Sequence, residues 1–248
     1  MIRILLSGCG GRMGKVVAEL CRQREDLCIC AGVDPILPHL DFPVYAKYAE
    51  VREEVDVIID FSFHSAVVDL LDYAVGAGVP VVIATTGFTE EELALIDRAS
   101  QKIPVFRSAN MSLGVNLVCQ LAKQAARFLP DFDIEIIEMH HNQKVDAPSG
   151  TALMIADEIA SVLPEKAEYV HGRSGICGKR TRNEIGIHAI RGGTIVGEHE
   201  VLFSGYNEKV VISHSAASRE ILANGAVCAA LFLREQAPGK YSMKDIFS

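Results

Sequence analysis

The sequence predicts an α/β chain in two parts: a parallel-sheet domain with helices on both faces, then a smaller α+β domain with an open, mostly antiparallel sheet. Three observations carry this. Short apolar runs alternate with amphipathic helical patterns over residues 2–107, and a glycine-rich turn joins the first run to the first helix. Beyond residue 110 the rhythm changes to a helix, an alternating strand and a cluster of strand-like runs. Apolar strands alternating with helices imply a doubly covered parallel sheet with right-handed crossovers.

Residues 2–6 form the first strand, followed by the turn and a helix over 13–23. Residues 27–33 make a second strand ending at Asp34. The apolar run 55–60 precedes a helix over 64–77, where Val67, Leu70, Leu71 and Ala74 recur at helical spacing. Residues 79–84 are a strand again, and Thr89 caps a helix over 89–101 with Glu92 in the third position. Residues 105–107 close the series. The second block holds a helix over 114–129, a strand over 133–140, a helix over 150–162 and a polar loop over 173–184. Strand-like runs follow at 185–191, 194–203 and 209–214. The helix 220–233, with Ile221, Leu222, Ala226 and Leu231, is apolar enough to need a packing partner. Domain boundaries fall near Asn110 and Ser215.

A chain of 248 residues that is 49% hydrophobic can bury a substantial core. Its net charge of −8 argues against nucleic-acid binding, so an anionic ligand must be drawn by local groups. Glycine arrives too soon for a signal peptide, and no apolar run approaches the roughly 20 residues that span a bilayer. Seven cysteines form no CxxC pair; Cys28 and Cys30 flank Ile29 on one strand face. They fit reduced thiols serving as small hydrophobes in a cytoplasmic protein.

Gly8-Cys9-Gly10-Gly11-Arg12-Met13-Gly14 follows the first strand and opens the first helix. Glycines there permit a tight turn and let a pyrophosphate reach the helix N-terminus, the mark of a Rossmann-type dinucleotide site. The spacing is Gly8, Gly11, Gly14 rather than the usual pattern, but Asp34 stands at the end of the second strand, placed for an adenosine ribose. A carboxylate near the 2′ position favours NADH; Arg12 leaves NADPH tolerated. Ala84-Thr85-Thr86 and Ser108-Ala109-Asn110-Met111 follow later strands of the same sheet and are expected to wall the ribose and nicotinamide.

The densest chemistry lies in His140-His141-Asn142-Gln143-Lys144-Val145-Asp146-Ala147-Pro148-Ser149-Gly150-Thr151-Ala152. Histidine titrates near neutral pH and lysine does so when desolvated. The Ser149-Gly150-Thr151 turn opens a helix whose free N–H groups can hold a carboxylate. Proton chemistry beside an anion cradle points to an enzyme acting on a small acid. No cysteine or further histidine stands at familiar ligand spacing, so no metal is expected. Lys179, Arg180 and Arg182 look like an anion patch, though a solvated loop is the simpler reading.

The run Glu135-Ile136-Ile137-Glu138-Met139-His140-His141, followed by Lys144 to Ala152, closely resembles the signature of the 4-hydroxy-tetrahydrodipicolinate reductase (dihydrodipicolinate reductase) family. The resemblance extends to the glycine loop, Thr85-Thr86-Gly87-Phe88, Arg191-Gly192-Gly193, Ile195-Val196-Gly197-Glu198-His199, Ser218-Arg219 and Ala223-Asn224-Gly225-Ala226. It implies NAD(P)H-dependent hydride transfer to C4 of a cyclic dicarboxylate in the diaminopimelate route of lysine biosynthesis. By matching position it implies His140 as proton donor or acceptor, Lys144 as proton donor, and His141, Ser149, Gly150 and Thr151 as the carboxylate site. It further implies a discontinuous nucleotide domain, 1–110 with 216–248, around a substrate and oligomerisation domain at 111–215, and a homotetramer. Two departures stand out: Met111 where some members carry phenylalanine, and Ala84 where glycine is common.

Rival readings are a reductase of another small cyclic acid, an aldehyde-acylating dehydrogenase and a non-catalytic NADH-binding sensor. The second needs a nucleophilic cysteine, and Cys119 lies inside an amphipathic helix. The sensor would carry a basic DNA-binding face, which is missing from the sequence.

Overall fold

A computed structural model of the chain describes residues 1–247. It divides into two compact units, one formed by Met1–Ser112 with the chain from Glu220 onward, the other by Leu113–Arg219. The first unit runs β1 (Ile2–Ser7), α1 (Arg12–Arg22), β2 (Leu27–Val33), β3 (Val44–Tyr45), β4 (Val57–Asp60), α2 (Val67–Ala77), β5 (Val81–Ile83), α3 (Glu90–Ser100) and β6 (Pro104–Arg107). The second runs α4 (Leu113–Phe128), β7 (Asp133–His140), α5 (Gly150–Ala160), β8 (Glu168–His171), β9 (Glu184–Arg191), β10 (Gly197–Gly205) and β11 (Glu208–Ala216). The chain then returns to the first unit through α6 (Glu220–Leu233), β12 (Gly239–Tyr241) and α7 (Met243–Ile246).

The first sheet has the order β12-β6-β5-β4-β1-β2-β3, and every pairing in it is parallel. Strands covered on both faces read as continuous apolar runs. Accordingly Ile4, Leu5 and Leu6 of β1 and Val57, Ile58 and Ile59 of β4 are fully buried. Each such side chain contributes about 1.5–3 kcal/mol of transfer energy. Thr89 Oγ1 accepts the Glu92 N–H while a Glu92 carboxylate oxygen accepts the Thr89 N–H, the reciprocal cap the sequence predicts for α3. The apolar helix α6 finds its partners in β4, β5, β6 and α1. Its approach is close: a Cβ on Gly225 would lie 1.6 Å from the Met111 carbonyl oxygen.

The second sheet has the order β11-β10-β7-β9-β8. Strand β10 is antiparallel to β7 and β11, but β9 is parallel to both β7 and β8. The sheet is therefore mixed, which corrects the expectation of a mostly antiparallel one. The cause is β8, a short strand not foreseen, and the loop 172–183 that carries the chain back to start β9 in the same direction. Helices α4 and α5 cover one face, where Ile134, Ile136, Ile185, Ile187, Val201 and Phe203 meet Ala122, Ile155 and Ile159. The loop arginines are structural pins. Arg173 bonds Glu135 and Glu184, Arg180 bonds Asp133, Glu135 and the Ile134 carbonyl, and Arg182 pairs with Asp131.

Candidate active site

In a parallel sheet all the carboxyl ends of the strands lie on one edge, and ligands bind beyond that edge. The sequence-predicted cofactor residues Gly8 to Met13, Asp34, Ala84 to Thr86 and Ser108 to Met111 all follow β1, β2, β5 or β6 there. Gly8 has φ +73°, and a Cβ on it would lie 2.6 Å from the Phe61 carbonyl oxygen. A Cβ on Gly14 would lie 2.3 Å from the Gly8 carbonyl oxygen, so helix and loop touch backbone to backbone. Gly11 caps α1 without a side-chain hydrogen bond. The first-turn N–H groups of α1 are thus left for an anion, which fits a dinucleotide pyrophosphate.

Side chains play a smaller part in this loop than its backbone does. Cys9 points into the core, and burial pushes its thiol up to about 11. Arg12 is exposed and Met13 half-buried. Asp34 is buried, with one carboxylate oxygen accepting the Gly10 N–H at 2.9 Å and the other the Ile36 N–H at 3.0 Å. It laces the glycine loop to the end of β2. Ala84 is half-buried, and Thr86 and Ala109 are exposed. Ser108 Oγ donates to the Asn110 carbonyl, Asn110 Oδ1 accepts the Ser112 N–H, and Met111 is buried.

Thr85 is also buried, and its hydroxyl donates at 2.7 Å to Asp60, a residue sequence reasoning missed. Asp60 closes β4 and also accepts from Ser7 Oγ at 2.7 Å, Ser62 Oγ at 2.5 Å and the Ser62 N–H at 3.2 Å. Ser7 Oγ in turn bonds Tyr48 OH at 2.6 Å. Burial raises the Asp60 carboxyl above its ordinary range, against the pull of these donors. The network ties together the ends of β1, β4 and β5. Its only sequence signal is an acid ending the apolar run Val57-Ile58-Ile59.

The second unit holds the proton-transfer candidates. Residues Ile134, Ile136, Glu138 and His140 share one face of β7 at period two, and the first three are buried. Glu138 is therefore a carboxylate at a core position, with a fully buried side chain. His140 Nδ1 lies 2.7 Å from Glu138 Oε2. Arg191 on β9 donates to both carboxylate oxygens, at 2.7 and 2.8 Å, and the Ser149 N–H donates to Oε1 at 3.0 Å. Burial opposes ionisation of Glu138, but Arg191, His140 and the Ser149 amide outweigh it and hold the carboxyl below its usual range.

Around this pair stand the other candidates. His141 Nδ1 accepts the Gln143 N–H at 3.2 Å, so a neutral His141 ring carries its proton on Nε2 and can donate it to an acid. Lys144 Nζ lies 2.8 Å from Asp146 Oδ1, and this ammonium keeps the Asp146 carboxyl low. Ser149 caps α5, its Oγ accepting the Ala152 N–H at 3.1 Å. A Cβ on Gly150 would meet nothing within 4 Å, so the approach to the first turn of α5 is open. Thr151 follows, half-buried. His199 on β10 packs edge-on to the His140 ring at 5.3 Å, with Nε2 3.1 Å from Ser149 Oγ. Burial first, then the nearby His140, pushes His199 down to about 4, so it is neutral at pH 7. Arg191 and His199 lie about 50 residues further along the chain, and no local pattern marks the approach of Arg191 to Glu138 or of His199 to His140 and Ser149.

Two family models cover the chain: dihydrodipicolinate reductase, N-terminus, matches residues 2–111, and dihydrodipicolinate reductase, C-terminus, matches residues 114–247. A 4-hydroxy-tetrahydrodipicolinate reductase of Caldanaerobacter subterraneus subsp. tengcongensis is 58% identical, with 99% of this chain and 98% of the relative covered. That of Clostridium tetani is 50% identical, with 98% and 96% covered. Among solved structures, a dipicolinate-bound dihydrodipicolinate reductase from Paenisporosarcina sp. TG-14 superposes with a TM-score of 0.82 at 27% identity, covering 98% of this chain and 97% of that one.

Proposed function

The chain belongs to the dihydrodipicolinate reductase family, and on that premise we propose that it reduces 4-hydroxy-tetrahydrodipicolinate to tetrahydrodipicolinate in lysine biosynthesis by the diaminopimelate route, using NADH or NADPH. The observation that carries this reading is the gathering of His140, His141, Lys144 and the open start of α5 in one unit, while the other unit carries a dinucleotide-type glycine loop.

The nicotinamide nucleotide supplies a hydride when bound. The backbone of Gly8 to Met13 and the uncapped start of α1 hold its pyrophosphate. Asp34, with spare lone pairs on its carboxylate, accepts from the ribose and disfavours a 2′-phosphate, so NADH is preferred and NADPH accepted, with Arg12 free to meet the phosphate. In the second unit the Gly150 and Thr151 amides and His141 Nε2–H hold a substrate carboxylate. Once the C4 hydroxyl has left as water, hydride addition at C4 of the unsaturated ring leaves enamine-like negative charge until a proton arrives. Lys144 donates that proton and His140 takes or relays one beside it, and the ammonium lowers the barrier by sitting beside the developing charge. The exposed Ile190, Val210 and Val211 of β9 and β11 support self-association of the open sheet as a homotetramer. All seven cysteines are free, which supports a cytoplasmic location.

The test is oxidation of NADH and of NADPH, followed by absorbance, with substrate made in place from pyruvate and aspartate semialdehyde by the preceding synthase. Substrate-dependent oxidation, faster in kcat/KM with NADH, is expected. Nucleotide binding without oxidation would overturn the assignment.

A further inference from the structure

Glu138 has no place in the mechanism above, yet it is the most heavily bonded side chain of the second unit's site. An ionised carboxylate removed from water is costly unless every lone pair is occupied. Here four donors converge on it: His140 Nδ1, two nitrogens of Arg191, and the Ser149 N–H. Arg191 is itself braced, donating also to the carbonyls of Asp146 and Ile190 at 2.7 and 2.8 Å. The first of those carbonyls belongs to the loop that carries Lys144. The two oxygens of Glu138 also point to different tasks. Oε2 meets the His140 ring, whereas Oε1 meets the amide of the residue that caps α5.

We propose that Glu138, clamped by Arg191, is a positioning residue that serves both halves of the site at once. Its Oε2 fixes the His140 ring with the proton on Nδ1 and Nε2 bare, and its Oε1 fixes the start of α5 where the substrate carboxylate binds. The proposal rests on the reading of His140 as a proton-transfer group. A carboxylate can only accept, so Nδ1 of a neutral His140 donates to it, and Nε2 is the atom left to take or relay a proton. Space is kept for that atom: a Cβ on Gly197, across the β7–β10 pairing, would lie 3.1 Å from Nε2. Neutral His199 braces the ring edge and the Ser149 hydroxyl without adding charge. Arg191 makes the buried carboxylate part of a neutral pair, so the task left to Glu138 at His140 is alignment.

The test is a double-mutant cycle of Glu138→Gln and His140→Gln, with kcat, substrate KM and the pH profile of kcat measured for each variant. The His140 ring meets Glu138 on its own strand and His199 on β10, Arg191 on β9 is bonded to Glu138, and Lys144 and Asp146 pair in the following loop; Arg191, His199, Lys144 and Asp146 are retained in every variant. Glu138→Gln alone should lower kcat about 10- to 100-fold, raise KM, and shift the limbs of the pH profile. In the His140→Gln background the kcat loss and the pH shift should vanish while the KM increase persists. A full kcat loss in both backgrounds would overturn the positioning role. If His140→Gln itself leaves turnover intact, the reading of His140 fails instead, and the two failures are thereby distinguished. Should Glu138→Gln not fold, nitrogen-15 NMR of histidine-labelled wild-type enzyme, with His140 assigned by its loss in His140→Gln, gives the tautomer directly. A proton on Nδ1 is expected, and a neutral ring protonated on Nε2 would refute the proposal.

Discussion

The nucleotide loop and the acid site differ in what they are made of. In the first unit the groups proposed to meet the nucleotide are mainly backbone: glycines that admit close approach and helix amides without a side-chain cap. In the second they are side chains from three strands, a loop and a helix start, held by a buried carboxylate. A backbone site is written in local spacing, so it is legible in sequence and fails through added atoms. A side-chain network is written in residues far apart, so it is only partly legible and fails through lost groups.

The largest effect should come from a lost group. Lys144→Ala should cut turnover by about 100- to 10,000-fold, since the proposed proton donor and its charge go together. Steady-state kinetics of the purified variant decide this, and a loss below tenfold would remove Lys144 from the chemistry. The added-atom counterpart is Gly14→Ala. Its methyl has no room against the Gly8 carbonyl, so NADH affinity should fall about tenfold or more and Tm by several degrees. Calorimetric titration checks the first and thermal unfolding the second; unchanged affinity would show that the loop can yield.

The network also makes stability depend on pH. His199 falls from 6.5 to about 4 on folding. Between those values the unfolded chain binds a proton that the folded one refuses, so stability drops as pH falls, by on the order of 3 kcal/mol in total. Glu138 adds to this at lower pH, because its carboxyl is depressed in the fold and its stabilisation is lost as pH falls through the folded value. Denaturant melts from pH 7 to pH 4 should show the decline, and His199→Gln should flatten its upper part. An equally steep decline in that variant would place the origin elsewhere. The smallest effect is expected at Asp34, whose carboxylate already holds the loop and is proposed to meet the ribose as well. Asp34→Asn should move the NADH to NADPH ratio of kcat/KM by less than about tenfold towards NADPH. Movement towards NADH would contradict the role of its charge.

The same contrast governs what could be foreseen. The alternation of strands and helices, the glycine turn and the cap at Thr89 are local, and the period of each pattern is visible in a few residues. The mixed pairing of the second sheet was not, because strand direction is set by the loop 172–183 and the short β8, not by any strand's own pattern. His140, Lys144 and Ser149 stand within one stretch and were singled out together. Asp60 and Glu138 were not, since each acts through partners 53 residues away in sequence, Ser7 and Arg191 respectively. One clue did exist: Glu138 occupies the position where the period of Ile134 and Ile136 calls for another core residue. A charge at a core position is a local conflict that a fold tolerates where function requires it.

The central claim is that backbone in one unit holds the nucleotide and side chains in the other move the proton. Calorimetric titration of NADH into the His140→Gln, Lys144→Ala double variant tests it most directly. The account predicts a Kd within about twofold of the unmodified enzyme although turnover is abolished, because neither residue belongs to the unit that carries the glycine loop. Loss of NADH binding in parallel with turnover would contradict it.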